Sequence, residues 1–148
     1  MKVLAIDPGD KRLGIAISDP SGTLARPYCV IIHQSRIKDA HKIVEFAEEE
    51  GVQMIVVGWA LDSLGGVGFR ARKSQRLANE IKNNCDIPVR MWDESYTTQT
   101  AIKSRIELGV SRKKRKGHLD DLAASILLQD FLNNHEDIDE PREVQGES

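Results

Sequence analysis

Apolar residues run unbroken from Val3 to Ile6, stop at Asp7, and resume from Leu13 to Ile17 beyond the turn formers Pro8 and Gly9. Short apolar runs punctuated in this way predict strands at 2–7 and 13–19. A third stretch, rich in Val and Ile, follows Gly22 and predicts a strand from about Leu24 to Ile32. Three strands on such short connections make an antiparallel meander. The period then changes. Ile37, Ala40, Ile43, Val44 and Ala47 recur at helical spacing, with Gly51 as the stop. Glu48 to Glu50 oppose the dipole in the last turn, so that end should fray or find a cationic partner. Met54 to Val57 is continuously apolar, as in a buried parallel strand. A glycine-rich loop then leads to a helix from Phe69 to Asn83, a strand from Ile87 to Trp92, a helix from Thr98 to Leu108 and a last helix from Leu119 to Leu132. A meander feeding βαβ crossovers predicts an α/β fold, a mixed five-stranded sheet with helices on its faces.

The chain has 148 residues, which fits one domain. Its net charge of −2 hides an asymmetry: Arg112, Lys113, Lys114, Arg115 and Lys116 are consecutive, while the stretch after His135 carries six acids against Arg142. The cationic cluster points to a polyanion partner. The segment after Asn134 lacks apolar periodicity and holds Pro141 and Gly146. It is predicted to be disordered, giving a domain at 1–134 and an acidic tail at 135–148. Cys29 and Cys85 each stand alone, which argues against a zinc site or a disulfide framework. No apolar run suits a signal peptide or a membrane span, so a cytoplasmic protein without a membrane partner is expected.

Three acids sit at predicted element ends. Asp7 tips a buried strand, where aspartate is either an Asx-turn former or a carboxylate held for chemistry; for a lone D-P-G the turn is the commoner case. Asp93 and Glu94 follow the strand Val89–Trp92. Alternation puts Asp93 with Val89 and Met91, and Glu94 with Arg90 and Trp92, without saying which face matters. Both acids also read as ordinary loop residues, with Asp93 or Thr97 capping the next helix. Asp120 shares an apolar, core-facing helical stripe with Ala123, Ala124, Leu127 and Phe131, whereas Asp121 shares a polar stripe with His118, Ser125 and Gln129 that is expected to face water. A carboxylate on the apolar stripe is either satisfied by helix N–H groups or bound to something. Three such acids converging would hold Mg²⁺ or Mn²⁺, which prefer oxygen ligands and activate water against phosphodiesters.

The runs Ala5–Asp19, Ile55–Gly66, Asp93–Ala101 and Leu119–Gln129, in this order and spacing, resemble the YqgF family. These are small bacterial proteins related to Holliday-junction resolvases and associated with trimming pre-16S ribosomal RNA. The resemblance implies an RNase H-like fold and an Asp–Glu–Asp set of catalytic metal ligands falling on Asp7, Glu94 and Asp120, and so selects Glu94 over Asp93. Two positions depart from the pattern: Ser95 stands where the family has Arg, and Ala60 where it has Pro. Loss of that Arg removes a phosphate clamp, which Lys11, Arg12 or Arg112 to Lys116 are the candidates to replace.

Other features carry weaker signals. Gly58 to Gly68 lacks G-K-[ST] and reads as a mobile βα loop beside the site. Arg70, Arg72, Lys73 and Arg76 read first as a solvated helix face, and second as nucleic-acid contacts. Trp59 and Trp92 suit base stacking, though a strand-end Trp92 is more often core. His118 reads as a surface residue or a proton-transfer aid; His33, His41 and His135 share no ligand spacing. Thr97 or Thr98 suits a helix cap. The function expected is metal-dependent hydrolysis of structured RNA at the 5′ end of pre-16S rRNA, by a monomer or weak homodimer. The alternatives are a resolvase of branched, four-way DNA and a non-catalytic ribosome-assembly factor. A phosphotransferase of the actin and sugar-kinase type needs two lobes, for which the chain is too short.

Overall fold

The computed structural model of the chain describes residues 1–61, 64–94 and 119–134, with side chains from Leu122 onward in the last helix. The elements are β1 (Val3–Pro8), β2 (Arg12–Ser18), β3 (Ala25–Ile32), α1 (Arg36–Glu49), β4 (Met54–Trp59), α2 (Phe69–Asn84), β5 (Val89–Asp93) and α3 (Leu119–Asn134). The helix expected at 98–108, the Thr97–Thr98 cap, Ser95, the basic run 112–116, His118 and the tail 135–148 lie outside the described residues.

The five strands form one sheet in the order β3-β2-β1-β4-β5. β1–β2 and β2–β3 are antiparallel, and β1–β4 and β4–β5 are parallel. The meander and crossovers expected from the hydrophobic pattern are therefore present. Central β1 is covered on both faces, which is why Val3, Leu4, Ala5 and Ile6 are all apolar and fully buried. Its alternation divides the core. Leu4 and Ile6 pack with Ile43 and Ala47 of α1 and with Leu77 and Ile81 of α2. Val3 and Ala5 pack with Ala124, Leu127, Leu128 and Phe131 of α3.

Local chemistry sets the helix ends. The Ser35 hydroxyl caps α1 by accepting from Lys38 N at 3.1 Å, and Gly51 turns the chain out with φ 67°. The acidic end of α1 does find a cation: Glu50 Oε1 lies 3.4 Å from Lys2 Nζ, and its Oε2 accepts from Tyr28 Oη at 3.1 Å. Trp92 is half-buried, donates to Asp130 Oδ2 at 2.8 Å and meets Phe131 edge-on at 5.2 Å, so its core reading holds.

Ser125 corrects the expected solvent stripe of α3, because it is buried along with Ala124, Ile126, Leu127 and Leu128. The helix lies across β1, β2 and β3 and is covered over more than one stripe. Gln129 of the same stripe is also used structurally, accepting from Ala25 N at 3.0 Å and donating to Thr23 O at 2.9 Å. Among the described residues, no helix is long and apolar enough to cross a membrane.

Candidate active site

The turn after β1 decides between the two readings of Asp7. An Asx turn needs the amide two residues on, since Pro8 has none to give. That amide, Gly9 N, instead donates to Arg12 O at 2.9 Å. A Cβ on Gly9 would lie 2.6 Å from the same carbonyl, so only glycine closes this turn without a shift. Asp7 continues the Val3–Ala5 series, the face of the sheet that α3 covers.

β5 supplies the second acid. Val89 and Met91 pack in the core under α1 and α2, while Trp92 packs in the core under α3. Glu94 continues the Trp92 series and Asp93 the Val89 series, so of the two it is Glu94 that shares a face with Asp7. The Glu94 amide is pinned by donating to Trp59 O at 2.7 Å, just beyond the paired end of β4 and β5. Its side chain lies over Gly58, where a Cβ would come within 2.8 Å of Glu94 Oε2 and of Leu127 Cδ2. Gly58 is thus the gap through which Glu94 reaches the sheet face.

Asp7 and Glu94 meet there. Burial, then the Asp7 charge and a hydrogen bond shared with Asp7, push the Glu94 carboxyl up to about 8, with Arg70 pulling the other way. Two carboxyls forced to share a proton form an all-oxygen donor set, the kind a hard divalent cation fits and a thiol- or imidazole-seeking metal does not. Asp120 is the second residue of α3, two turns before Leu127, and its side chain lies outside the described residues. Among the described residues, no three metal-ligating side chains cluster.

The acids open into a cleft of about 480 Å³ at the C-terminal ends of β1 and β4. Its far walls hold residues that the sequence did not single out: Asp10 of the turn, His33 just after β3, and Arg36 and Asp39 in the first turn of α1. Arg70, Lys73 and Arg76 of α2 also line it. Arg70 and Lys73 are solvated, as their helical spacing suggested, yet each lies 3.7 Å from Asp10 across the cleft. They bracket the acids, which is more than a solvated face does; Arg72 is exposed outside the lining. Lys11 in the β1–β2 turn and Arg12 at the start of β2 are exposed, and neither lines the cleft. The signal for the α2 cations lay in their repeat at Arg70, Lys73 and Arg76, but nothing in the sequence shows which way that stripe faces.

The sheet and its helices define a fold class shared with solved resolvases. The chain is similar to RuvC of Thermus thermophilus in complex with a Holliday junction, with a TM-score of 0.55, 19% identity, and 86% of this chain and 91% of that one covered. It is similar to the fowlpox virus resolvase with TM-score 0.55 and 14% identity, over 90% of this chain and 97% of that one. At such identities the likeness speaks for the RNase H-like fold alone.

The model of the family described as "RuvX: Holliday junction resolvase" matches residues 1–134, and the chain belongs to that family. The resemblance to YqgF proteins in the sequence is this same relationship. A protein of Clostridium acetobutylicum is 38% identical over 134 residues, covering 90% of this chain and 99% of its own. One from Halothermothrix orenii is 40% identical over 133 residues, covering 90% and 95%. Both carry the name "Putative pre-16S rRNA nuclease". The chain is a member of a nuclease family, hydrolases of phosphodiester bonds.

Proposed function

We propose that the chain is a divalent-metal-dependent nuclease that hydrolyses structured RNA at the 5′ end of pre-16S rRNA. The observation that carries this is the Asp7–Glu94 pair, two carboxyls meeting on one sheet face beside a cationic cleft. The names of the relatives, which this chain matches over nearly their whole length, supply the substrate class.

In this reading Asp7, Glu94 and Asp120 hold Mg²⁺ or Mn²⁺, which when bound supplies an activated water and stabilises the leaving oxygen. Asp7 and Glu94 fix the reacting phosphate's position from rigid strand ends. Glu94 gives up its proton on loading, and Arg70 favours its ionised form. The Gly58 gap keeps Glu94 in register. Arg70, Lys73 and Arg76 hold the phosphodiester backbone, together with the basic run 112–116. These α2 cations take the clamping role that the Arg absent at position 95 leaves open.

The test is cleavage of a pre-16S rRNA transcript in Mg²⁺, with EDTA and Asp7→Asn as controls. Metal-dependent cleavage lost in the variant supports the reading; full activity in Asp7→Asn refutes it. A second reading, resolution of four-way DNA, is favoured by the family description. The same assay on a DNA junction separates the two, and a strictly monomeric protein counts against symmetric two-strand cutting.

A further inference from the structure

We propose that His33 and Arg36, at the α1 end of the cleft, clasp a second phosphate of the nucleic-acid strand whose reacting phosphate lies at Asp7 and Glu94. Asp39 is the positioning residue that sets His33 for this contact. The proposal rests on the nuclease reading above.

Asp39 is 4% exposed in the first turn of α1. A carboxylate so buried is costly unless its oxygens are satisfied. Its Oδ1 accepts from Gln34 N at 3.1 Å, and its Oδ2 lies 2.5 Å from His33 Nδ1. As an ionised carboxylate Asp39 can only accept, and Nδ1 is then the nitrogen that carries the proton of this bond. The backbone fixes the ring too, since His33 N donates to Lys11 O at 2.9 Å. With Nδ1 turned to Asp39, the edge bearing Nε2 is left for the cleft, and the side chain is 39% exposed there. Pairing Asp39 accounts for one edge of the imidazole. It does not account for presenting the other edge in the cavity that holds the acids.

Position and charge say what this edge meets. His33 follows β3, two strands away from β1, so it lies on the order of 10 Å or more from Asp7. A strand held at the acids therefore offers His33 a different phosphate from the reacting one. To donate to a phosphate at Nε2 while donating to Asp39 at Nδ1, the ring carries a proton on both nitrogens, which makes it a charge-assisted donor. Arg36 is the adjacent cation. Its Nε lies 3.7 Å from Glu80 Oε1 with the side chain half exposed, a pair weak enough to exchange for a phosphate.

The test pairs protein variants with altered linkages. The probe is a synthetic RNA with the 5′ extension of precursor 16S rRNA. Each version carries one neutral 2′-deoxy methylphosphonate linkage at a successive position away from the cleavage point. In wild-type protein one off-centre linkage should raise KM about 10-fold, the scale of a lost charge-assisted hydrogen bond. His33→Ala should raise KM by a similar factor on the all-phosphate RNA, with kcat within about twofold, and show no added penalty at that linkage. Asp39→Asn should weaken the same linkage selectively, whereas a purely structural role would lower Tm without linkage selectivity. If Asp39→Asn fails to fold, His33→Ala and Arg36→Ala, both on solvated side chains, carry the test.

An unchanged KM in His33→Ala, or an equal penalty at every linkage in both proteins, overturns the proposal. Binding of the same probes, read by fluorescence anisotropy in Mg²⁺, separates the two layers. Linkage-selective binding without cleavage sinks the nuclease reading and leaves this contact standing. Cleavage without linkage selectivity does the reverse.

Discussion

Asp7 and Asp19 look alike in the sequence. Each ends an apolar strand and each is followed by proline, in Asp7-Pro8-Gly9 and Asp19-Pro20-Ser21-Gly22. Because β1 and β2 are antiparallel, the two lie at opposite ends of the sheet. Asp19 is saturated by its own loop: Oδ1 accepts from Thr23 N at 2.8 Å and Leu24 N at 3.0 Å, and Oδ2 from Ser21 Oγ at 2.6 Å. The Ser21 hydroxyl first, then these amides, hold its carboxyl well below the usual range. Asp7 has its turn amide diverted to Arg12 and meets a second carboxyl instead, which it helps to push up to about 8. A strand-end aspartate bonded to its own loop is a structural device. One that faces another acid from across β4 is held against its own electrostatics, the arrangement proposed above to receive a cation.

The difference can be broken in four ways, from the largest effect to the smallest. Asp7→Asn or Asp120→Asn should lower cleavage by on the order of 10³-fold or more, the loss of several kcal/mol of charge stabilisation. Asp19→Asn should leave cleavage within about twofold, since a lost turn bond does not reach the cleft. Comparable losses from both ends would erase the distinction.

Glycines sharpen the same contrast. Gly58→Ala should cut kcat about 10²-fold by displacing Glu94, with its Cβ 2.8 Å from Oε2. Gly22→Ala, at φ 74° with its Cβ 2.6 Å from Met1 O, should cost about 1–3 kcal/mol of stability and little activity. Denaturant midpoints and single-turnover rates read the two effects separately.

The third contrast is in pH. Glu94 binds its proton more tightly in the folded protein than at its ordinary 4.5. Its contribution is therefore fully present below about pH 4.5 and is lost as the pH rises through about 8, so the metal-free protein should become less stable across that window. Mg²⁺ should restore Tm at the alkaline end, and Glu94→Gln should flatten the profile. Asp19, shifted the opposite way, contributes above its unfolded value and loses that contribution only in acid. A Tm that rises from pH 5 to 8 without metal would contradict the account of Glu94.

The smallest effect falls on the cleft wall. Arg70→Ala should raise KM severalfold and reduce the salt slope of binding by about 0.7–1, with kcat changed less. A replacement at exposed Arg72, outside the lining, should do neither.

Much of the fold was legible because its signals are local. The unbroken Val3–Ile6 run required two covered faces, and Gly51 and Gly9 marked real chain reversals. Sidedness was harder. Alternation separated Asp93 from Glu94 but could not say which core each joined, because that depends on Trp92 meeting Phe131, residues distant in sequence. Ser125 misled for a related reason: a polar residue reads as solvent-facing, yet α3 crosses three strands and buries it. His33 and Asp39 were invisible as a pair, since they lie on either side of the start of α1, and no single period spans that boundary. The α2 cations were visible as a stripe, but their direction is set by where Ala71, Ser74 and Leu77 pack.

The central claim is that the β1 tip, the β5 tip and the start of α3 together hold a divalent cation. A crystal grown with Mn²⁺ and measured at the manganese absorption edge tests it most directly. The account predicts an anomalous peak coordinated by Asp7, Glu94 and Asp120, with none at Asp19. Manganese absent from the Asp7–Glu94 pair, or seated in the Asp19 loop instead, would contradict it.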